Sequence, residues 1–246
     1  MKYSIALLLM MTFGAPPAVA DGALPSETVR GIVRPKSQAG ISSELAAPVA
    51  RIGVKEGQSF ARGDALINFD CRLQEAEFAA VEAEYREMDA AYQNAKYLGD
   101  RKAGGALDVE TAKARLDKIT AQLQGLGVRL TRCIVTAPFD GRVAELSIHE
   151  HETPAAGRTL LTVIETQAPE IELIVPSRWL KWLTQGLQFT FQIDETGTSE
   201  AAAVTRIGAA VDPVSQTIKV SGAFKATSSQ ILPGMSGTAN FTSGER

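Results

Sequence analysis

Few residues of this chain have the types and spacing that chemistry requires. His149, Glu150, His151 and Glu152 form a run of metal-ligand types, but on a strand the two imidazoles share one face and the two carboxylates share the other. A zinc site needs three or four converging ligands, and no Ser/His/Asp or Cys/His phrase stands in a catalytic context. We therefore expect no enzyme, no cofactor and no metal.

The charge balance argues against a nucleic-acid partner. The 246 residues include 25 Lys+Arg and 28 Asp+Glu, for a formal net charge of −3, whereas nucleic-acid binders present a basic surface. A hydrophobic share of 45% is typical of a folded chain. The length fits one or two domains with a substantial core.

The first twenty residues have the pattern of a secretory signal peptide. Lys2 precedes an apolar run from Ile5 to Phe13, and Ala18–Ala20 ends the segment with a small-x-small cleavage pattern. We expect cleavage after Ala20 and export of the mature chain. The alternative is an uncleaved anchor helix, which the short apolar run and the two prolines that follow it disfavour.

Residues 71–133 predict an antiparallel coiled-coil hairpin. Apolar residues recur in steps of three and four along two stretches of similar length, separated by residues 99–105. Arms of this size would each be roughly 36–40 Å long, and we place Asp108 as the cap of the returning helix. The alternative is a pair of helices in an ordinary bundle. The two stripes consist of Phe78, Val81, Tyr85, Met88, Tyr92 and Ala95, and of Val109, Ala112, Leu116, Ile119, Leu123, Leu126 and Leu130.

Two cysteines border this hairpin. Cys71 opens the first helix and Cys133 follows the second, so a hairpin would bring both to its base. An oxidising compartment permits a disulfide there. Because disulfide geometry is demanding, two separate buried thiols remain an equal alternative.

The segments that flank the hairpin predict β-strands. Residues 49–70 and 134–164 alternate apolar and polar positions, with glycine-containing turns at 56–58 and 62–64. These two similar half-units would close a small flattened barrel with the hairpin inserted between them. Beyond residue 167 the chain predicts further strands and a short helix. We place its Trp179 and Trp182 in a core; the alternative is a contact surface.

In their order and spacing these phrases resemble the periplasmic adaptor, or membrane fusion, proteins of tripartite efflux systems. The resemblance is carried by Val54–Gln58, Arg62–Leu66, Asp70, Ile134–Val143, Val211–Val220 and Leu232–Gly237. It implies a mainly β fold with an inserted α-helical hairpin. A lipoyl-like domain would comprise 41–70 and 134–166, the coiled-coil hairpin 71–133, and a β-barrel domain 28–40 and 167–246.

The resemblance also implies a function. The chain would be a non-enzymatic periplasmic adaptor, peripherally associated with the inner membrane and assembled as a homo-oligomer. Its barrel would lie nearer an inner-membrane transporter, and its hairpin would reach toward an outer-membrane channel. Longer members have a membrane-proximal domain and a tip pattern that this sequence does not reproduce, so we expect neither to transfer. The candidate partner contacts at the tip are Lys96, Leu98, Arg101, Lys102, Leu107 and Asp108.

Two other functions fit part of the sequence. A scaffold or regulatory subunit of another envelope complex would keep the same fold. A lipoyl or biotinyl carrier domain would need a lysine where the two half-units meet, but the sequence has no lysine between Lys55 and Lys96.

Overall fold

The computed structural model describes residues 26–226 and 230–242. The predicted signal peptide, residues 1–20, lies outside this range. The described part is mainly β, with a closed barrel, two small sheets and a two-helix hairpin, so the mainly β prediction with an inserted helical hairpin is confirmed.

The barrel is a closed ring of six antiparallel strands in the order β1-β13-β10-β11-β12-β9. Its inward side chains form one apolar core that includes Leu173, Phe191 and Phe241. A short 3₁₀ helix, Ser177–Lys181, is here called the plug helix. Its Trp179 is only 2% exposed and packs edge-on against Phe241 at 5.5 Å, which confirms the core position expected for this tryptophan. The barrel strands are β1 Ser26–Arg34, β9 Glu170–Pro176, β10 Gln188–Ile193, β11 Ser199–Asp212, β12 Thr217–Phe224 and β13 Ser236–Thr242.

Residues 38–69 and 134–164 form a second unit, here called the two-sheet domain. One sheet has the strand order β2-β8-β7-β4 and the other β3-β5-β6, and side chains such as Leu66 and Leu160 form a core between them. Gly57 and Gly63 adopt φ of 75° and 88°, as the predicted turns require. The strands are β2 Gln38–Ser42, β3 Val49–Ile52, β4 Ser59–Phe60, β5 Ala65–Phe69, β6 Ile134–Thr136, β7 Gly141–Leu146 and β8 Thr159–Ile164.

The boundary between the two units differs from the prediction. Strand β2 begins at Gln38 and pairs with β8 from Gln38↔Ile164 onward, so residues 38–40 belong to the two-sheet domain rather than to the barrel. The chain changes units at residues 35–37, because strand β1 ends at Arg34 in the barrel and β2 starts its new pairing directly afterwards.

The hairpin consists of α1, Arg72–Asp100, and α2, Ala106–Thr131. Every residue of the two predicted stripes is partly or fully buried, and Ile119 is the most deeply buried of them at 3% exposure. The helices lie close together near the tip, since a Cβ on Gly99 would lie 2.9 Å from Cγ2 of Val109. Among the described residues no helix is both long and apolar enough to span a membrane.

The directions of the strands show on which side of the two-sheet domain the barrel and the hairpin each lie. Both connections between the barrel and the two-sheet domain leave the barrel where Arg34 pairs with Glu170. Strand β2 then runs away from the barrel, and Glu44 just beyond it forms an ion pair with Arg132 at the base of the hairpin. The hairpin and the barrel therefore occupy opposite ends of the two-sheet domain.

Candidate functional site

The hairpin tip, residues 96–108, is the first candidate site. The backbone N–H of Lys102 donates to the carbonyl oxygen of Gly99 and that of Ala103 to Leu98, each at 2.9 Å. These bonds satisfy carbonyl groups that the end of α1 leaves without helical partners. Lys102 takes a left-handed φ of 56° to close the turn. The tip is therefore an ordered turn.

The tip surface is partly apolar. Leu107 is 73% exposed and Leu98 38%. Arg101 ends α1 and lies over the ring of Tyr97, with its guanidinium carbon 3.7 Å from the ring centroid. Tyr97 is not among the residues predicted to form the tip contacts, although an aromatic residue four positions before an arginine on a helix is a signal for such a contact. Lys96 is exposed one turn below. The tip thus presents exposed apolar groups beside cations.

Asp108 stabilises the start of α2 differently from the prediction. Helix α2 begins at Ala106 and its N-cap is Gly105, so Asp108 is the third helical residue rather than the cap itself. Its carboxylate Oδ2 accepts a hydrogen bond from the backbone N–H of Gly105 at 3.2 Å. A negative charge in the first turn also interacts favourably with the helix dipole. The helix starts earlier because Ala106 and Leu107 are good helix formers.

The hairpin root joins the helices to the two-sheet domain. Cys71 is the N-cap of α1 and is joined by a disulfide to Cys133, with 6.0 Å between the Cα atoms. Both residues are buried, at 5% and 9% exposure, and the N–H of Phe69 donates to the carbonyl of Cys133 at 2.9 Å. Beside them, hydrogen bonds from Arg72 hold the pKa of Asp70 below its ordinary value. At the root, a disulfide joins the two ends of the hairpin, and an ion pair links Asp70 to the first residue of α1.

The histidine and glutamate run at 149–152 has structural contacts. Oε1 of Glu150 accepts a hydrogen bond from the N–H of Ile52 at 2.9 Å. Glu152 forms an ion pair with Arg158 and accepts from the N–H of His149 at 3.2 Å. The hydrogen bond from Arg158 is the main cause that lowers the pKa of Glu152. Glu150 thus connects this segment to the end of β3, and Glu152 connects it to Arg158. The described part of the chain holds no cluster of three or more metal-ligating side chains.

Solved structures share this arrangement. A MacA-MexA chimeric protein with the α-hairpin domain of Pseudomonas aeruginosa MexA superposes with a TM-score of 0.79 at 18% identity, covering 89% of this chain and 81% of its own. The membrane fusion protein Spr0693 of Streptococcus pneumoniae R6 gives a TM-score of 0.73 at 14% identity, covering 87% and 97%. This chain has the membrane fusion protein fold. ZneB of Cupriavidus metallidurans is more distant, with a TM-score of 0.57 at 18% identity and coverage of 88% and 97%.

The curated relatives that this chain matches are longer than it. An uncharacterized protein of Haemophilus influenzae is 25% identical over 81% of the chain and 53% of its own length. The nodulation protein NolF of Rhizobium meliloti is 24% identical over 77% of the chain and 56% of its own length. The chain thus spans just over half the length of these relatives, and no family model matches it. The resemblance to membrane fusion proteins is confirmed through the fold.

Proposed function

We propose that the chain is a periplasmic adaptor subunit of an efflux or secretion system, which bridges an inner-membrane transporter toward an outer-membrane channel. One observation carries the proposal: a hairpin of about 40 Å ends in an exposed apolar tip and leaves the two-sheet domain opposite the barrel. Such a shape suits contacts at two separated surfaces. The membrane fusion proteins among the solved structures with this fold support it.

The same proposal assigns the parts of the chain. The two-sheet domain would be the lipoyl-like domain, the hairpin an antiparallel coiled coil, and the barrel the part nearer the inner membrane. We expect a homo-oligomer in the periplasm, peripherally associated with the inner membrane, after removal of residues 1–20. The subunit would be non-enzymatic and would bind no nucleic acid.

The junction between the half-units supports this assignment over a carrier domain. A carrier would attach its cofactor to a lysine side chain at the junction. Here the disulfide between Cys71 and Cys133 and the start of α1 occupy that position.

Site-specific photo-crosslinking in cells tests the proposal. A photoreactive residue at Leu107, exposed at the tip, should capture an outer-membrane protein, identified by mass spectrometry. The same residue at Ala83, exposed midway along α1, is the matched control and should not capture that protein. The double variant Arg101→Glu, Lys102→Glu should abolish the Leu107 product while keeping the thermal midpoint close to wild type, because both residues are exposed.

The outcomes separate the adaptor from its rival. Capture of the same partner from both positions, or no outer-membrane product from Leu107 at normal protein levels, would contradict the bridging role. Capture of only inner-membrane or soluble envelope proteins would instead favour a scaffold or regulatory subunit of another envelope complex.

A further inference from the structure

The end of the barrel farthest from the hairpin, here called the distal end, collects three segments. Strand β9 ends there at Pro176, which pairs with Thr217 at the start of β12. Strands β1 and β13 meet there through Ser26↔Thr242. The N–H of Ser177 in the plug helix donates to the carbonyl of Gln216 at 2.8 Å. The plug helix and the β11–β12 turn are therefore neighbours on one surface.

This surface exposes large apolar side chains. Leu180 of the plug helix is 44% exposed, and Val214 in the β11–β12 turn is 93% exposed. Trp182 is half-buried, with its ring 5.0 Å from that of Trp179. The inward tryptophan and its contacts with the barrel core hold the plug helix in place, so the outward side chains are presented by a fixed support.

Two cations lie on the same helix. Arg178 and Lys181 are exposed, and within the part of the chain that the structure describes neither makes an ion pair. Asp212 shares this end, but its Oδ1 accepts hydrogen bonds from the N–H groups of Val214 and Ser215, both at 2.9 Å. The carboxylate is thus directed into its own turn.

Exposed apolar side chains beside unpaired cations are typical of a membrane-binding surface. Tryptophan and leucine beside lysine and arginine are the residues that anchor proteins at the interface between lipid and water. The N-terminal sequence connects to the same end, because the apolar run that ends at Phe13 precedes Ser26 by thirteen positions. Even fully extended, that linker spans at most about 45 Å. Before residues 1–20 are removed, the precursor therefore cannot place the distal end farther than this from a membrane that holds the apolar run.

We propose that the distal end of the barrel binds the surface of an anionic phospholipid bilayer, with Leu180 and Val214 entering the interface and Arg178 and Lys181 contacting lipid phosphates. The inference deepens the proposed function by supplying its peripheral membrane contact, and it rests on that function only for the protein's location. Direct lipid binding is measured without a transporter or a channel, so its failure leaves the adaptor proposal standing.

Vesicle co-sedimentation of the purified protein tests this inference. The vesicles contain phosphatidylethanolamine with phosphatidylglycerol, and phosphatidylcholine vesicles serve as the uncharged comparison. We expect the double variant Leu180→Asp, Val214→Asp to weaken binding roughly tenfold or more, since both apolar contacts are lost. The double variant Arg178→Gln, Lys181→Gln should weaken binding to the anionic vesicles by about fivefold per charge. Because all four side chains are exposed or partly exposed, circular dichroism should show that both variants fold.

A matched control comes from the other end of the molecule. Leu107→Asp changes a leucine at the hairpin tip that is more exposed than Leu180, at 73% against 44%, and should leave vesicle binding unchanged. If the wild-type protein stays in the supernatant with both lipid mixtures, the proposal is overturned. The partner of the distal end would then be another protein. Equal losses in the tip and distal-end variants also overturn it, because they would show that binding is not localised.

Discussion

The disulfide at the hairpin root gives a sharp test of how the two helices are held to the two-sheet domain. The perturbation is the double variant Cys71→Ala, Cys133→Ala, with reduction of the wild-type protein as an independent route to the same state. Both cysteines belong to the core cluster of the two-sheet domain. Loss of the bond should therefore destabilise the hairpin together with that domain.

The size of the effect follows from the loop that the bond closes. The cysteines are 62 positions apart, and in the chain-entropy model a loop of this length stabilises the folded state by about 4 kcal/mol. With a urea m-value of about 2–3 kcal/mol/M, the unfolding midpoint would shift by roughly 1.3–2 M.

Two spectroscopic signals separate the affected unit from the rest. Both α-helices of residues 26–226 and 230–242 lie in the hairpin, so far-UV circular dichroism follows the hairpin. Both tryptophans lie on or beside the plug helix, so their fluorescence follows the barrel, which contains no cysteine. In urea titrations, reduction should lower the midpoint of the helical signal and leave the tryptophan midpoint unchanged. The Cys71→Ala, Cys133→Ala variant should not respond to reductant.

Two results would refute this reasoning. Equal helical midpoints for oxidised and reduced protein would show that the bond contributes nothing to the stability of the unit. Two reactive thiols in denatured, unreduced protein exported to the periplasm would show that no bond forms, and that the two cysteines are separate thiols.

Further predictions concern packing and charge. Ile119→Asp should lower the free energy of unfolding by several kcal/mol, because it buries an unpaired carboxylate, and should remove the helical circular dichroism signal. Val128→Asp, on the same helix at 56% exposure, should keep that signal. Gly237→Ala should lower the free energy of unfolding in urea by about 1–3 kcal/mol, because its Cβ would lie 2.3 Å from a backbone carbonyl oxygen. Gly125→Ala is the control: a Cβ there meets open space, so this change should raise the free energy of unfolding by about 0.5–1 kcal/mol. Equal effects of the two substitutions would contradict the close packing at Gly237. Arg72 lowers the pKa of Asp70, so their interaction stabilises the fold at pH values above the ordinary carboxyl pKa of about 3.9. This stabilisation is lost as the pH falls through the lowered pKa. The thermal midpoint of Asp70→Asn should therefore drop less on acidification than that of the wild type.

Local patterns in the sequence are sufficient for some features. The seven-residue spacing of residues such as Leu116 and Leu123 determines which helix face is buried, since side chains three and four positions apart share a face. The structure buries the predicted stripes accordingly. Glycines 57 and 63 likewise mark turns, because a left-handed φ is accessible to glycine without strain.

Other features depend on contacts between distant residues. Whether residues 38–40 extend the barrel or pair with β8 depends on a strand more than a hundred residues later, and alternation alone does not distinguish partners. The cation–π contact of Arg101 with Tyr97 depends on where α1 ends. The closeness of the plug helix to the β11–β12 turn depends on the order and register of the six barrel strands. Short-range patterns determine which face of an element is apolar, but only the closed sheet and the packed core decide which elements meet, because those pairings join residues far apart in the chain.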